Sequence, residues 1–561
     1  MDEPLSRDAP VEVAVNHVGY LSGGAKRCVA PGSDPTAFEV RRLPGNEPVH
    51  EGTMRPAGGD FGDHVVGAFD AVRTPGTYYV RTDGARSYPF RVGPDAYDDF
   101  LVAVVDHFGA QRCGPSETGY LSPCHCDDGV RDDTGERQDV TGGWHDATDL
   151  RKWVGATVRA MTGLSALLDV GVPVPRARLL DELRWGNRYF LAMQEPEGYL
   201  MSHVGGDLLE HGDSNRWTDN EPGDGGEVRL VDATGEGGDA VAAVAGDDDD
   251  RVIDTDPVGA AAQFAFVEAE ATLARHLDGE ESERCLDAAE RCFAWATDEG
   301  VAATAGDLGQ RVRAGVALHR ATGDDAHREA AADAADRLLD LQVTDGDPAG
   351  FFRTSATDDD PYRDVWELPP ALGLADLASA VPDHPDAGDW RAGVNANVRA
   401  YLLSLAGENA FGTVPLGLFS EAPGGDRRVG AYWYRYFMRP EGWWVGVNAT
   451  LAGAGVLFAR AADLLDDGDL VAAAQRQFDW VLGANPLGAS TVEGFGHGHP
   501  ERFRTGEFHP QTPRIRGAVM NGLGGTEADD PARWDGAYHT AEYWTPMCAY
   551  ALWLGAELRG R

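Results

Sequence analysis

Lysine is nearly absent from this chain. Of its 561 residues only Lys26 and Lys152 are lysines, and 48 basic residues in all face 92 acids, for a formal charge of −44. The acids are spread along the chain rather than gathered in a tail, so the whole surface is expected to be negative. That excludes a nucleic-acid partner, because phosphate binding needs a basic patch. Self-repulsion of this size works against a compact state in dilute buffer, whereas at about 1 M salt the Debye length falls to roughly 3 Å. The expectation is adaptation to concentrated salt. Long apolar runs are missing as well, and nothing approaches the roughly eighteen residues that a membrane span requires. Seven cysteines are too few, and odd in number, for a disulfide framework. No repeat recurs at a fixed period, which speaks against a solenoid. The start, Met1-Asp-Glu-Pro-Leu-Ser6, carries no basic and apolar leader, so the expectation is an intracellular protein or one whose signal has been removed.

What is present divides in two, as the length suggests. Between about residues 11 and 97 short stretches alternate, such as Val11-Glu-Val-Ala-Val15 and Gly76-Thr-Tyr-Tyr-Val-Arg-Thr82, with Gly/Pro/Asp clusters between them. This is the pattern of an all-β sandwich. From residue 98 onward the period becomes helical, with roughly twelve amphipathic patterns. One runs through Val154, Val158, Met161, Leu164 and Leu168, and the last begins near Glu542. Twelve helices fit six hairpins closed into an α/α toroid. Cys285 and Cys292 fall on one helix face and read as core. The Gly- and Asp-rich stretch from about 204 to 256 is a long interruption that could wall a cleft, and it lacks the EF-hand spacing.

The chemistry concentrates in Thr141-Gly-Gly-Trp-His-Asp-Ala-Thr-Asp149. Two carboxylates, Asp146 and Asp149, follow a Gly-Gly turn and lead into the Val154 helix. This places them on a loop at a helix N-terminus, where the dipole favours ionised acids. An acid beside Trp144 suits activation of water next to a sugar, whereas the plainer reading is a helix cap and a solvated acid. Nearby, Cys113, Cys124, His125 and His145 supply the donors of a closed, hence structural, tetrahedral zinc set. Cys126 is an alternative ligand, and buried core cysteines with unrelated histidines are the plainer reading.

Asp139-Val-Thr-Gly-Gly-Trp-His-Asp-Ala-Thr-Asp149 resembles the signature of glycoside hydrolase family 9, in which two aspartates follow Gly-Gly-Trp. Arg112-Cys113-Gly114, Cys124-His125 and His145 resemble the structural zinc site of the branch with an N-terminal immunoglobulin-like module. Val15-Asn-His-Val-Gly-Tyr-Leu21 resembles that module. Asp479-Trp-Val-Leu-Gly-Ala-Asn-Pro-Leu-Gly-Ala-Ser490 resembles the family's Gly-x-Asn-Pro-Leu-Gly segment.

The resemblance implies a mainly α protein. An immunoglobulin-like sandwich at 1–97 would precede an (α/α)6 catalytic domain at 98–561. It implies inverting hydrolysis of β-1,4-glucans with Asp149 as general base, Asp146 helping to hold the water, and Glu542 in Ala537-Tyr-His-Thr-Ala-Glu-Tyr-Trp544 as general acid. Zinc would sit on Cys113, Cys124, His125 and His145, and calcium stays open as a second ion. Trp443, Tyr538, His509 and Arg514 are the candidate sugar contacts. The partner would be a β-glucan met outside the cell by a monomer, with no membrane involved. An exo-acting β-glucosidase or glucosaminidase, or a non-catalytic polysaccharide-binding protein, is the alternative. The motif departs from the family at Thr148, which replaces the usual glycine, at Leu150, and at Ala541, which replaces the asparagine before the catalytic glutamate.

Overall fold

The structure is a computed structural model that describes residues 10–120, 124–126, 128–148, 150–205, 251–298, 303–503 and 514–561. Asp149, His509 and most of the 204–256 interruption lie outside the described residues.

Period-two alternation in the N-terminal region becomes a set of strands. These are β1 (Gly19–Tyr20), β2 (Arg27–Pro31), β3 (Thr36–Leu43), β4 (Glu47–Pro56), β5 (His64–Ala68), β6 (Gly76–Arg81) and β7 (Phe90–Val92), in the order β1-β7-β6-β3-β4-β5-β2. Neighbours run antiparallel except β1 and β7, which run parallel. The long β4 pairs with β3 up to Met54 and with β5 from Arg55, so one strand serves both layers of a sandwich. Inward-facing Phe38, Val40, Met54, Val65, Val80 and Phe90 fill the space between the layers.

The helical remainder alternates between an inner and an outer ring. Outer helices are α1 (Asp98–Ala110), α3 (Arg176–Ala192), α5 (Gly279–Asp298), α7 (Asp325–Asp340), α9 (Ala387–Asn395, continued by a π-helical Ala396–Leu403) and α11 (Gly468–Val481). Inner helices are α2 (Val154–Val170), α4 (Ala260–Ala274), α6 (Ala305–Thr322), α8 (Ala371–Ala380), α10 (Asn448–Leu465) and α12 (Thr545–Arg559). Each inner helix packs on the next, α2 on α4, α4 on α6, α6 on α8, α8 on α10 and α10 on α12. Finally α12 packs back on α2 and closes the ring. Burial follows position: α2, α4, α10 and α12 are apolar nearly all round, whereas outer α5 shows water one charged face. Cys285 and Cys292 lie on the buried face of α5.

Two sequence expectations need correction. The last helix begins at Thr545 rather than near Glu542, which lies in extended backbone. The aspartate loop does not run straight into α2 either. Lys152–Trp153 first pairs antiparallel with His203 and Val204, so Asp146 is separated from the N-terminus of α2 by a short strand.

The sandwich docks through polar groups. Asp60 accepts from the hydroxyls of Tyr434 (2.7 Å) and Tyr436 (3.0 Å) and pairs with Arg427 (3.0 Å). Asn16 Nδ2 donates to Asp479 Oδ1 on α11 at 2.9 Å, and Gln475 Nε2 donates to the same oxygen at 2.6 Å. Burial raises the Asp479 pKa to about 7 against these two bonds and the nearby Arg27 and Arg476. Between the ordinary carboxylate range and pH 7 the folded chain therefore keeps a proton that the unfolded chain has lost, and stability falls as pH rises through that window. Asp479→Asn retains an acceptor oxygen for both donors and removes this linkage. Thermal unfolding at pH 5 and pH 8 is expected to show a smaller alkaline loss in the variant, by on the order of 2–4 kcal/mol. An unchanged pH 5 to pH 8 difference would contradict the assignment.

Candidate active site and metal centre

The aspartate loop is built from its backbone outward. Gly142 and Gly143 take φ of +102° and +71°, and a Cβ on Gly143 would come within 2.8 Å of the Tyr189 ring. Trp144 is wholly buried, lies against Gly186 of α3 and donates to Glu182 at 2.7 Å. It is therefore an anchor for the loop and not a surface beside a sugar. His145 N donates to Gln111 O at 2.9 Å and Cys113 N to Gly143 O at 3.0 Å, which ties the loop to the end of α1.

That tie gathers the four predicted ligands. Cys113, Cys124, His125 and His145 are all buried, and one donor atom from each lies within 4.8 Å of the others. The sulfur of Cys113 is 3.6 Å from His125 Nδ1, and that of Cys124 is 3.7 Å from His145 Nε2. These separations suit ligands about 2.0–2.3 Å from one shared zinc ion. Cys126 faces the backbone oxygen of Cys124 at 3.7 Å and is not part of the group. Burial disfavours the Cys113 thiolate, yet the bond from Cys124 and the charges of Lys152, His145 and Arg251 hold its pKa well below the ordinary thiol value.

Buried cations clamp the same loop, and sequence reading missed them. Arg251 is wholly buried. It reaches both oxygens of Asp128, the Cys113 sulfur at 3.4 Å and the carbonyl of Leu150 at 2.6 Å. Lys152, one of the two lysines, donates to the carbonyls of Val140 (2.6 Å) and Gly142 (3.3 Å) and stands 3.5 Å from Asp128. The Asp128 carboxyl, although buried, is held below its usual pKa mainly by Arg251. In so lysine-poor a chain, the isolated lysine beside the motif was the available signal.

The loop meets the segment before α12. Thr545 donates to the Asp146 carbonyl through its N–H (2.9 Å) and its hydroxyl (2.7 Å). The Trp544 indole N–H donates to Asp146 Oδ2 at 2.8 Å. Glu542, half-buried, has its Oε1 bonded by the Thr148 hydroxyl and, at 3.2 Å, by the Thr148 N–H. Asp146 and Glu542, 396 residues apart by their numbers, thus share one site. Asp149 stands next in sequence to Thr148, outside the described residues.

Among the candidate sugar contacts, Trp443 is 57 % exposed and meets the Trp544 ring edge-on at 6.1 Å. Trp366 is a second ring contact of Trp544, at 5.5 Å. Tyr538 is partly exposed four residues before Glu542, and its ring lies 3.8 Å from that of His539. Arg514 pairs with Glu493 at 3.5 Å, and His509 lies outside the described residues. Trp444 is buried and stacked on His539 at 3.9 Å. Trp366, in contact with Trp544, and the 38 % exposed Trp534, in contact with Trp444, are aromatics that periodicity did not mark.

Comparisons with known proteins match both regions of the chain. Residues 97–527 match the glycosyl hydrolase family 9 description and residues 8–87 match the cellulase N-terminal ig-like domain. Endoglucanase C of Cellulomonas fimi is 26 % identical over 589 aligned positions, covering 94 % of this chain and 48 % of that protein. The chain thus spans about half the length of that relative. A single mutant of a thermostable endoglucanase from Alicyclobacillus acidocaldarius superposes with a TM-score of 0.68 at 22 % identity, covering 98 % of this chain and 100 % of the other. A Zn-binding triple mutant of the family 9 endoglucanase J30 does so with 0.69 at 20 %, covering 96 % and 99 %.

Proposed function

The chain belongs to glycosyl hydrolase family 9, and on that premise we propose that it hydrolyses β-1,4-glucosidic bonds of cellulose or a related β-glucan with inversion at the anomeric carbon. The observation that carries this reading is the bond from Thr148 to Glu542, which joins the neighbour of Asp149 to the candidate acid. In the proposed reaction Glu542 transfers its proton to the glycosidic oxygen as the C1–O bond breaks. Water attacks C1 from the opposite face and Asp149 takes its proton, as in other inverting enzymes with separated carboxyls. Asp146 helps to hold that water, with one of its oxygens fixed by the Trp544 indole. Trp443 and Tyr538 offer ring faces to the sugar, with His509 and Arg514 as polar contacts.

The division at 97/98 separates the immunoglobulin-like module from the catalytic domain in this proposal. The polymeric substrate puts the enzyme outside the cell, and the charge of −44 suits concentrated salt. Zinc on Cys113, Cys124, His125 and His145 is structural, since four protein donors leave no position for water. Cys113 and His145 flank the aspartate loop, so bound zinc would brace it. Among the described residues no second cluster of ligands supports a calcium site.

Carboxymethyl-cellulose hydrolysis in high salt tests the reaction. Asp149→Asn and Glu542→Gln are each expected to lower kcat by at least about a hundredfold with the helical circular dichroism retained. Activity near the unsubstituted level in either variant overturns its assignment. Elemental analysis tests the metal. About one zinc per chain is expected, with its loss and a lower Tm in Cys124→Ser, and a zinc-free chain of unchanged Tm would refute the site.

A further inference from the structure

Thr148 lies in the aspartate loop, two residues after Asp146, and its side chain is used. The residue is buried, so water does not compete strongly for its hydroxyl. That hydroxyl and the residue's own N–H both donate to the same oxygen, Oε1 of Glu542. The backbone of Glu542 is fixed as well, with its carbonyl accepting from Asn521 N at 2.7 Å and its N–H reaching Tyr538 O at 3.4 Å. A glycine at 148 could offer only the N–H.

We propose that Thr148 is a positioning residue for Glu542, one that holds Oε1 with two hydrogen bonds and stabilises the carboxylate formed when the proton leaves. The inference rests on the reading of Glu542 as general acid. An oxygen that already accepts two hydrogen bonds is a poor place for the acidic proton and a good place for the charge left behind. When Glu542 gives its proton to the glycosidic oxygen and the C1–O bond breaks, negative charge spreads onto Oε1. The hydroxyl bond strengthens as this charge develops. It is therefore stronger in the transition state than before it and raises kcat rather than binding. By the same preference for the carboxylate, it makes Glu542 a stronger acid.

The experiment is kcat against pH on a soluble cello-oligosaccharide, comparing the unsubstituted enzyme with Thr148→Val, Thr148→Ser and Thr148→Gly. Glu542→Gln reports on the underlying reading. For Thr148→Val the alkaline limb is expected to move up by about half to one pH unit. Its kcat is expected to fall about tenfold with KM within about twofold. Thr148→Ser restores both quantities and Thr148→Gly behaves like Thr148→Val. Should Thr148→Val fail to fold, the serine and glycine variants provide the same comparison. Variants with and without the hydroxyl that share one limb and one kcat overturn the proposal. Undiminished turnover by Glu542→Gln instead removes the acid assignment itself, whatever Thr148 does.

Discussion

Closure of the inner helical ring is the constraint on which the rest depends. The first and last inner helices are separated by most of the helical region, and the packing of α12 on α2 brings their leading segments together. At that seam Thr545 binds the Asp146 carbonyl, Trp544 binds its carboxylate and Thr148 binds Glu542. An opening of the ring would separate the two acids and expose the buried faces of α2 and α12. The carboxylates thus sit where two chain ends of a toroid are joined, and their spacing is held by the packing of whole helices rather than by a flexible loop.

A second layer of control lies beneath the loop. Its carbonyls at 140, 142 and 150 are held by Lys152 and Arg251, and the same two cations face Asp128. Arg251 also touches Cys113, one of the four gathered metal donors. Charges wholly removed from water persist only where each has a partner of opposite sign and its hydrogen bonds are made. In a chain that otherwise avoids lysine, retention of Lys152 at this point fits a requirement for a compact cation among backbone oxygens.

Much of this was legible in the sequence. The two periodicities marked a β region followed by helices, and spacing together with family likeness brought out Asp146, Glu542 and the Cys/His group. Local pattern could not show the short strand at Lys152–Trp153, because its partner lies some fifty residues on at His203 and Val204. Trp144 looked like a sugar neighbour because an aromatic beside an acid reads alike in either role. Its burial against Gly186 is a tertiary fact. Arg251 and Thr148 escaped for the same reason, since their partners are more than a hundred residues distant. Thr148 had registered only as a departure from the usual glycine.

The central claim is that an acid and a base on opposite sides of the scissile bond act with one water between them. Proton NMR of the products formed in the first minutes of cello-oligosaccharide hydrolysis tests it most directly. The account predicts that the α-anomer appears first and mutarotates afterwards. Initial release of the β-anomer would contradict it.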